Sequence, residues 1–306
     1  MMSQSSWSCA PGGSIGPTKG RLDTCCFAIV LLLSPSAAVI AQEPGAAAAA
    51  SPVPGYRAEK RVLNSRALGE QRPYFVGLPE SYSHGSDRRY PVIYVLDGLS
   101  QGVPVAKAAA QMSRDKLMPE LIVVAIPNVS AAGRERDYTP PSMRQDHERS
   151  DSAAGRADAF LEFLRTELIP TIERDFRTAP ERMLAGNSRG GLFVIYSLMA
   201  EPSLFHSRFA HSTPLWREDE HLVKRLDTFL NATPDLRGDL FLSVGGNETE
   251  NMKRGFNSAA DVLKKRAPRA LRWWAETTPN AVHADNAHLA IPVGFRRVYE
   301  GWAATR

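Results

Sequence analysis

The sequence predicts a single α/β domain built on a mainly parallel, doubly wound sheet with helices on both faces. Three observations carry this. The chain has 306 residues, 43% of them hydrophobic, which is enough for one large core without division into domains. Two runs, PVIYVLDG (91–98) and LIVVAIPN (121–128), are apolar at consecutive rather than alternate positions, as burial on both faces of a parallel sheet requires. Strand-like and helix-like segments then alternate toward the C-terminus, the order that winds a parallel sheet.

The first 41 residues stand apart. KGRLDTCCFAIVLLLSPSAAVIAQ carries Lys19 and Arg21, an apolar run from Cys25 to Leu33 and small residues up to Ala41, the layout of a secretory signal peptide. The run is shorter than the roughly 20 apolar residues a bilayer-spanning helix needs, so the expected mature protein is exported, periplasmic or secreted, with no integral membrane segment. All three cysteines (9, 25 and 26) lie in this leader, so no disulfide is expected in the exported part. Residues 42–56, including EPGAAAAASPVPG, read as a flexible spacer, leaving 57–306 as the domain.

From about residue 57, RVLNSRALGEQRPYFVGLPESY reads as a pair of edge strands. The two buried strands follow. In ADAFLEFLRTELIPTIERDF, Phe160, Phe163, Leu164, Leu168, Ile172 and Phe176 recur at helical spacing, and Pro170 should kink that helix because it lacks the N–H its ladder needs. A strand at RMLAG and a helix through GLFVIYSLMAEP come next. SRFAHSTP, LFLSVGG and LRWWAETTP supply three further strands, with SAADVLKKRAP and VGFRRVYEGW as helices.

The pattern G-x-S-x-G, which holds a nucleophilic serine on a sharp strand-to-helix turn, occurs twice, as GLSQG (98–102) and GNSRG (186–190). Position chooses between them. An activated serine needs a second oxyanion donor from a loop after an earlier parallel strand, and only Ser188 has buried strands upstream. Ser188 is therefore the expected nucleophile and GLSQG the donor loop, with Ser100 a small polar residue in a turn.

A carboxylate after a later strand and then a histidine should follow. Glu248, nearer the end of LFLSVGG, is preferred, with Glu250 the alternative. Among His283, Asp285 and His288, His288 is preferred because it precedes the last helix. HADNAH (283–288) could also be read as metal ligands. Its i, i+2, i+5 spacing does not gather all three on one helical face, and no H-E-x-x-H occurs, so no metal and no organic cofactor is expected.

LGEQRPYFVGLPESY, RRYPVIYVLDG, RERDYTP, AGNSRGGLFVIYSL, HSTPLWRED, LFLSVGGNETENM and the histidine loop ahead of GFRRVYEGW, in that order from about residue 62 onward, make the chain resemble the esterase family of α/β-hydrolases. That family includes the enterochelin (siderophore trilactone) esterases and relatives of the mycolyltransferases. The resemblance implies the α/β-hydrolase fold and an ester hydrolase with Ser188 as nucleophile, His288 as base and Glu248 as acid. The main-chain N–H of Arg189 and one at Gly98 or Leu99 would form the oxyanion hole. Two departures stand out: the family's last loop often reads E-x-H-G-S where this chain has N-A-H-L-A, and Trp216 is followed by Arg217 rather than by a second aromatic residue.

The implied substrate is a small-molecule ester, of a siderophore or another compound. Trp216 and Arg134 are candidate contacts, with Arg136, Trp273 and Trp274 behind them. Acyl transfer to an alcohol on the same site, or a non-catalytic binding protein on the same fold, are the alternatives. Net charge is +4 with both signs interspersed, which gives no basic surface for nucleic acid. Oligomeric state is not legible.

Overall fold

The computed structural model describes residues 53–84 and 87–302. The leader at 1–41 and all but the end of the 42–56 spacer lie outside the described residues. Residues 53–56 belong to the fold rather than to the spacer: Val53 is buried in the core, Tyr56 N–H closes a turn onto its carbonyl at 2.9 Å, and Tyr56 begins β1.

One eight-stranded sheet organises the domain, in the order β1-β2-β4-β3-β5-β6-β7-β8. β1 (Tyr56–Ser65) and β2 (Glu70–Pro79) form an antiparallel hairpin at one edge, and β2 runs antiparallel to β4 (Ile122–Ile126). From β4 onward every pairing is parallel, through β3 (Tyr90–Leu96), β5 (Thr178–Asn187), β6 (Ser207–His211), β7 (Gly238–Gly245) and β8 (Leu271–Thr278). All seven residues of β3 are buried, which explains why its sequence shows no alternation.

The pleat of β3 divides the core in two. Tyr90, Val92, Tyr94 and Leu96 face a cluster filled by α3 (Ala157–Phe163), α4 (Ile169–Asp175), α5 (Arg189–Ala200), α6 (Arg217–Ala232) and α7 (Glu250–Arg266). Ile93 and Val95 face the other layer, made by α1 (Gly98–Arg114) and α8 (Asn286–Val298). A short α2 (Ala131–Tyr138) follows β4. Helices α1, α2 and α6 have no counterpart among the segments the sequence marks as helical.

GLSQG finds its explanation here. It is the first turn of α1, not a free loop, and Ser100 donates its hydroxyl to the Asp97 carbonyl at 3.1 Å. Its glycines lie against β4: a Cβ on Gly98 would sit 2.5 Å from the Ile126 nitrogen, and one on Gly102 2.7 Å from the Ala125 Cβ. The motif is thus a packing device that lets the helix lie on the strand.

Pro170 acts through a π-turn. Residues Leu164–Leu168 widen the helix between α3 and α4, a recognised way of accommodating a missing ladder bond. Helix α5 ends on Arg208, whose side chain is fully buried. The guanidinium donates to the carbonyls of Phe205, Ser197, Glu201 and Pro202 at 2.7 to 3.3 Å and to the Ser197 hydroxyl at 3.2 Å. Four carbonyls and a hydroxyl, with the negative end of a helix dipole, hold this buried cation.

Candidate active site

Loops at the carboxyl ends of the parallel strands carry the candidate residues, at the end of an open α/β sheet where ligands bind. After β5, Ser188 takes φ 56° and ψ −121°, a strained conformation for a residue with a side chain. Its N–H donates to the His211 carbonyl at 2.8 Å and its own carbonyl accepts from Gly191 N–H at 2.8 Å. Gly186 permits this turn, since a Cβ there would meet the Gly190 carbonyl oxygen at 2.4 Å. Helix α5 then starts at Arg189.

Glu248 follows β7, with its side chain almost wholly buried. Its Oε1 accepts from the Ser212 hydroxyl and the Gly245 N–H, each at 2.7 Å, and its Oε2 accepts from His283 Nδ1 at 2.8 Å. Burial alone would raise its pKa, but the bonds from His283, Ser212 and Gly245 outweigh that and hold the carboxyl below the usual range. An ionised carboxylate only accepts, so the proton on this bond belongs to His283 Nδ1 and Nε2 is left as the basic nitrogen.

The histidine that meets the acid is therefore His283, where the sequence favoured His288. The reason is local. Val282 N–H bonds the Asp285 carboxylate at 2.8 Å and Asn286 N–H bonds the Val282 carbonyl at 3.0 Å, making a tight turn with His283 inside it. Helix α8 begins at Asn286, so His288 lies within its first turn, its Nε2 buried and without a hydrogen-bond partner. Burial, and then the proximity of His288, push the His211 imidazole down to about 3. Glu250, the alternative acid, is an exposed residue at the start of α7, paired with Lys253.

The two glutamate and histidine loops are laced together. Gly246 N–H bonds the Thr278 carbonyl and Asn247 N–H the Ala281 carbonyl, each at 2.9 Å. The chain extends the β7–β8 pairing past the strands and so fixes the spacing of Glu248 and His283.

The esterase family model, described as Putative esterase, matches residues 65–302. The chain belongs to this family. The esterase is 27% identical over 230 residues to the ferri-bacillibactin esterase BesA of Bacillus subtilis (strain 168), covering 70% of this chain and 78% of that protein. An IroE-like serine hydrolase from Shewanella oneidensis matches its fold with a TM-score of 0.73 and 30% identity over 81% of each chain. The BES protein from Bacillus cereus shares the fold at a TM-score of 0.71 and 23% identity, over 79% of this chain and 95% of that one. The protein is an α/β-hydrolase-fold carboxylic ester hydrolase.

In this esterase the expected oxyanion donors stand at two helix starts. Arg189 opens α5, while Gly98 and Leu99 open α1, where N–H groups have no carbonyl one turn earlier to bond. The turn before α1 is held tightly. Asp97 sits in the left-handed region at φ 54°, its carboxylate gripped by Arg134 through Nε and Nη2 at 2.7 and 2.8 Å and by Asn128 Nδ2. Arg134 also reaches the Asn187 carbonyl at 3.4 Å, one residue before Ser188. A residue expected to contact substrate is thus engaged in tying the α1 turn to the strand that carries the serine.

The other candidates have partners too. Trp216 Nε1 donates to Met252 Sδ at 3.2 Å and its ring meets His147 edge-on at 5.0 Å. Arg136 bonds Asp137 and Glu70, and Trp273 and Trp274 lie on the edge strand β8. The Arg189 side chain is bound to the Thr139 hydroxyl and the Gln145 carbonyl at 2.9 and 2.7 Å, and burial with the nearby Arg217 and Arg134 charges pushes its pKa down to about 10. In HADNAH, His283 goes to Glu248, Asp285 closes its turn and His288 lies near His211 with its Nε2 buried and unbonded. Among the described residues no group of three or more His, Cys, Asp or Glu side chains could hold a metal ion. No helix of the described residues is long and apolar enough to cross a membrane.

Proposed function

We propose that this esterase works by acyl transfer through Ser188, His283 and Glu248. The observation that carries the reading is the Glu248 carboxylate, buried, held by three donors and bonded to His283 Nδ1 at 2.8 Å, at the same sheet end as the strained turn at Ser188. In this mechanism Ser188 Oγ attacks the ester carbonyl while His283 Nε2 takes its proton, and Glu248 stabilises the imidazolium that forms. The oxyanion is met by main-chain N–H groups of Arg189 and of Gly98 or Leu99, each worth about 2.7 to 4 kcal/mol of barrier. The imidazolium returns its proton to the leaving alcohol. Water, deprotonated by His283, then attacks the acyl-enzyme and releases the acid and free Ser188.

The substrate class we propose is a small-molecule ester of the siderophore type. Support comes from the activities in the names of the relatives and from Arg189, the residue after Ser188, whose guanidinium lies within reach of the Arg217 and Arg134 charges. We also propose that the protein is exported, on the strength of the leader. The deciding test compares single variants on a nitrophenyl ester. Ser188→Ala and His283→Ala should each lower kcat by about four orders of magnitude or more, and Ser188→Ala should lose labelling by a fluorophosphonate. His288→Ala should change kcat about tenfold or less. Loss of turnover in His288→Ala with full activity in His283→Ala would overturn the assignment.

A further inference from the structure

Glu248 is gripped on both oxygens, and only one grip belongs to the reacting groups. We propose that Ser212 and Asn286 are positioning residues for the acid, acting as a buried relay that fixes the plane of the Glu248 carboxylate toward His283. The proposal rests on the Ser188–His283–Glu248 reading.

The sense of the relay follows from proton counting. Ser212 Oγ lies 2.7 Å from Glu248 Oε1, and because the carboxylate can only accept, the single hydroxyl proton of Ser212 is committed to it. Whatever else faces that oxygen must donate. Asn286 Nδ2 does so at 2.8 Å, and its second proton goes to Ser243 Oγ at 3.0 Å. The amide orientation is thereby fixed by its partners rather than arbitrary. Ser243 Oγ in turn sits 2.8 Å from His211 Nδ1, and the His211 carbonyl receives the Ser188 N–H. Ser212, Ser243, His211 and Asn286 are all buried, so these bonds do not compete with solvent.

Two features separate this relay from ordinary core satisfaction. Ser212 holds φ 46°, a left-handed conformation that costs a residue with a side chain of order 1 to 3 kcal/mol and that aims its hydroxyl at the acid. Asn286 lies three residues after His283 in the same turn, bonded through its N–H to Val282. One short segment therefore reaches both oxygens of Glu248: Oε2 directly through His283, and Oε1 through Asn286 and Ser212. Rotation of the carboxylate breaks both contacts together.

The test uses the full chain and a nitrophenyl ester. Ser212→Gly removes the hydroxyl while accepting the left-handed backbone, and Ser212→Ala removes it without that relief. Loss of a hydrogen bond to a charged group predicts a fall in kcat of about 10- to 100-fold, with KM unchanged because Ser212 and Asn286 are buried away from the surface a substrate reaches. The low-field proton resonance of His283 Nδ1–H should shift or broaden in both variants. Folded Ser212→Gly with kcat within about twofold of the parent and an unmoved resonance would overturn the proposal. A readout independent of position 212 is the Asn286 side-chain amide signal, which should move in Glu248→Gln; an unmoved signal counts against the relay. If Ser188→Ala and His283→Ala abolish turnover while Ser212→Gly is unaffected, only this inference fails. Retained turnover in Ser188→Ala defeats the reading beneath it.

Discussion

At the scale of single residues, the site turns on which histidine a buried carboxylate can reach. The placement of Glu248 beside a histidine was legible, because the first acid beyond a parallel strand is the one whose side chain can turn back over the sheet end. His283 was not. Proximity to the last helix favoured His288, but that rule fails once the helix begins at Asn286 and takes His288 into its first turn. The available signal was Asp285, whose carboxylate closes the turn on Val282 N–H and thereby marks 282–285 as a turn. A second residue, His211, makes a prediction in pH. Burial and His288 depress its folded pKa from the ordinary 6.5 to about 3, so the unfolded chain binds a proton that the folded one refuses. Its contribution is full above pH 6.5 and is lost as pH falls toward 3, with a slope of up to about 1.4 kcal/mol per pH unit. Denaturant titrations from pH 7 to 4 should show that slope reduced in His211→Gln.

Elements explain what residue patterns left ambiguous. Of two identical motifs, one makes the turn at Ser188 and the other lets α1 lie on β4, a distinction the letters alone do not contain. Counting the buried strands upstream is what led the sequence to assign the serine turn to Ser188 and the donor role to GLSQG. It missed α1 itself, whose Gly98, Gly102 and Pro104 hide a helix that runs to Arg114. Gly102→Val should destabilise the fold by about 1 to 3 kcal/mol or more through overpacking on Ala125, read as a lower midpoint in urea. The turn before α1 yields a catalytic prediction. Arg134→Ala frees the Asp97 carboxylate and slackens the α1 start, so kcat should fall about 10- to 100-fold with a smaller change in KM. A change confined to KM would instead restore Arg134 to direct substrate contact.

For the whole molecule, the fold was legible because its physics is repetitive. Consecutive apolar strands alternating with helices leave few arrangements besides a parallel sheet wound on both faces, and that sheet sends every strand end from β3 to β8 to one side. Side-chain partners were less legible, since contacts such as Arg134 with Asp97 or Ser212 with Glu248 join segments 37 and 36 residues apart and leave no periodic trace. Export belongs to this scale as well. The full chain should be recovered outside the cytoplasm and shortened near Ala41, whereas a chain started at residue 42 should stay in the cytoplasm; intact full-length protein in the cytoplasm would refute the leader assignment.

Arg208 has an implication for engineering. A cation walled in by carbonyls at one pole of α5 stands behind the same helix whose opposite pole opens at the proposed oxyanion donor, some 18 Å away for twelve residues. Trading it for methionine would leave the chemistry's own atoms untouched yet take the guanidinium from four carbonyls, of which only those of Ser197 and Glu201 keep a backbone N–H, so the rear of the helix would unravel first. Amide exchange along α5 would then quicken from that back end forward, long before the serine's turn noticed.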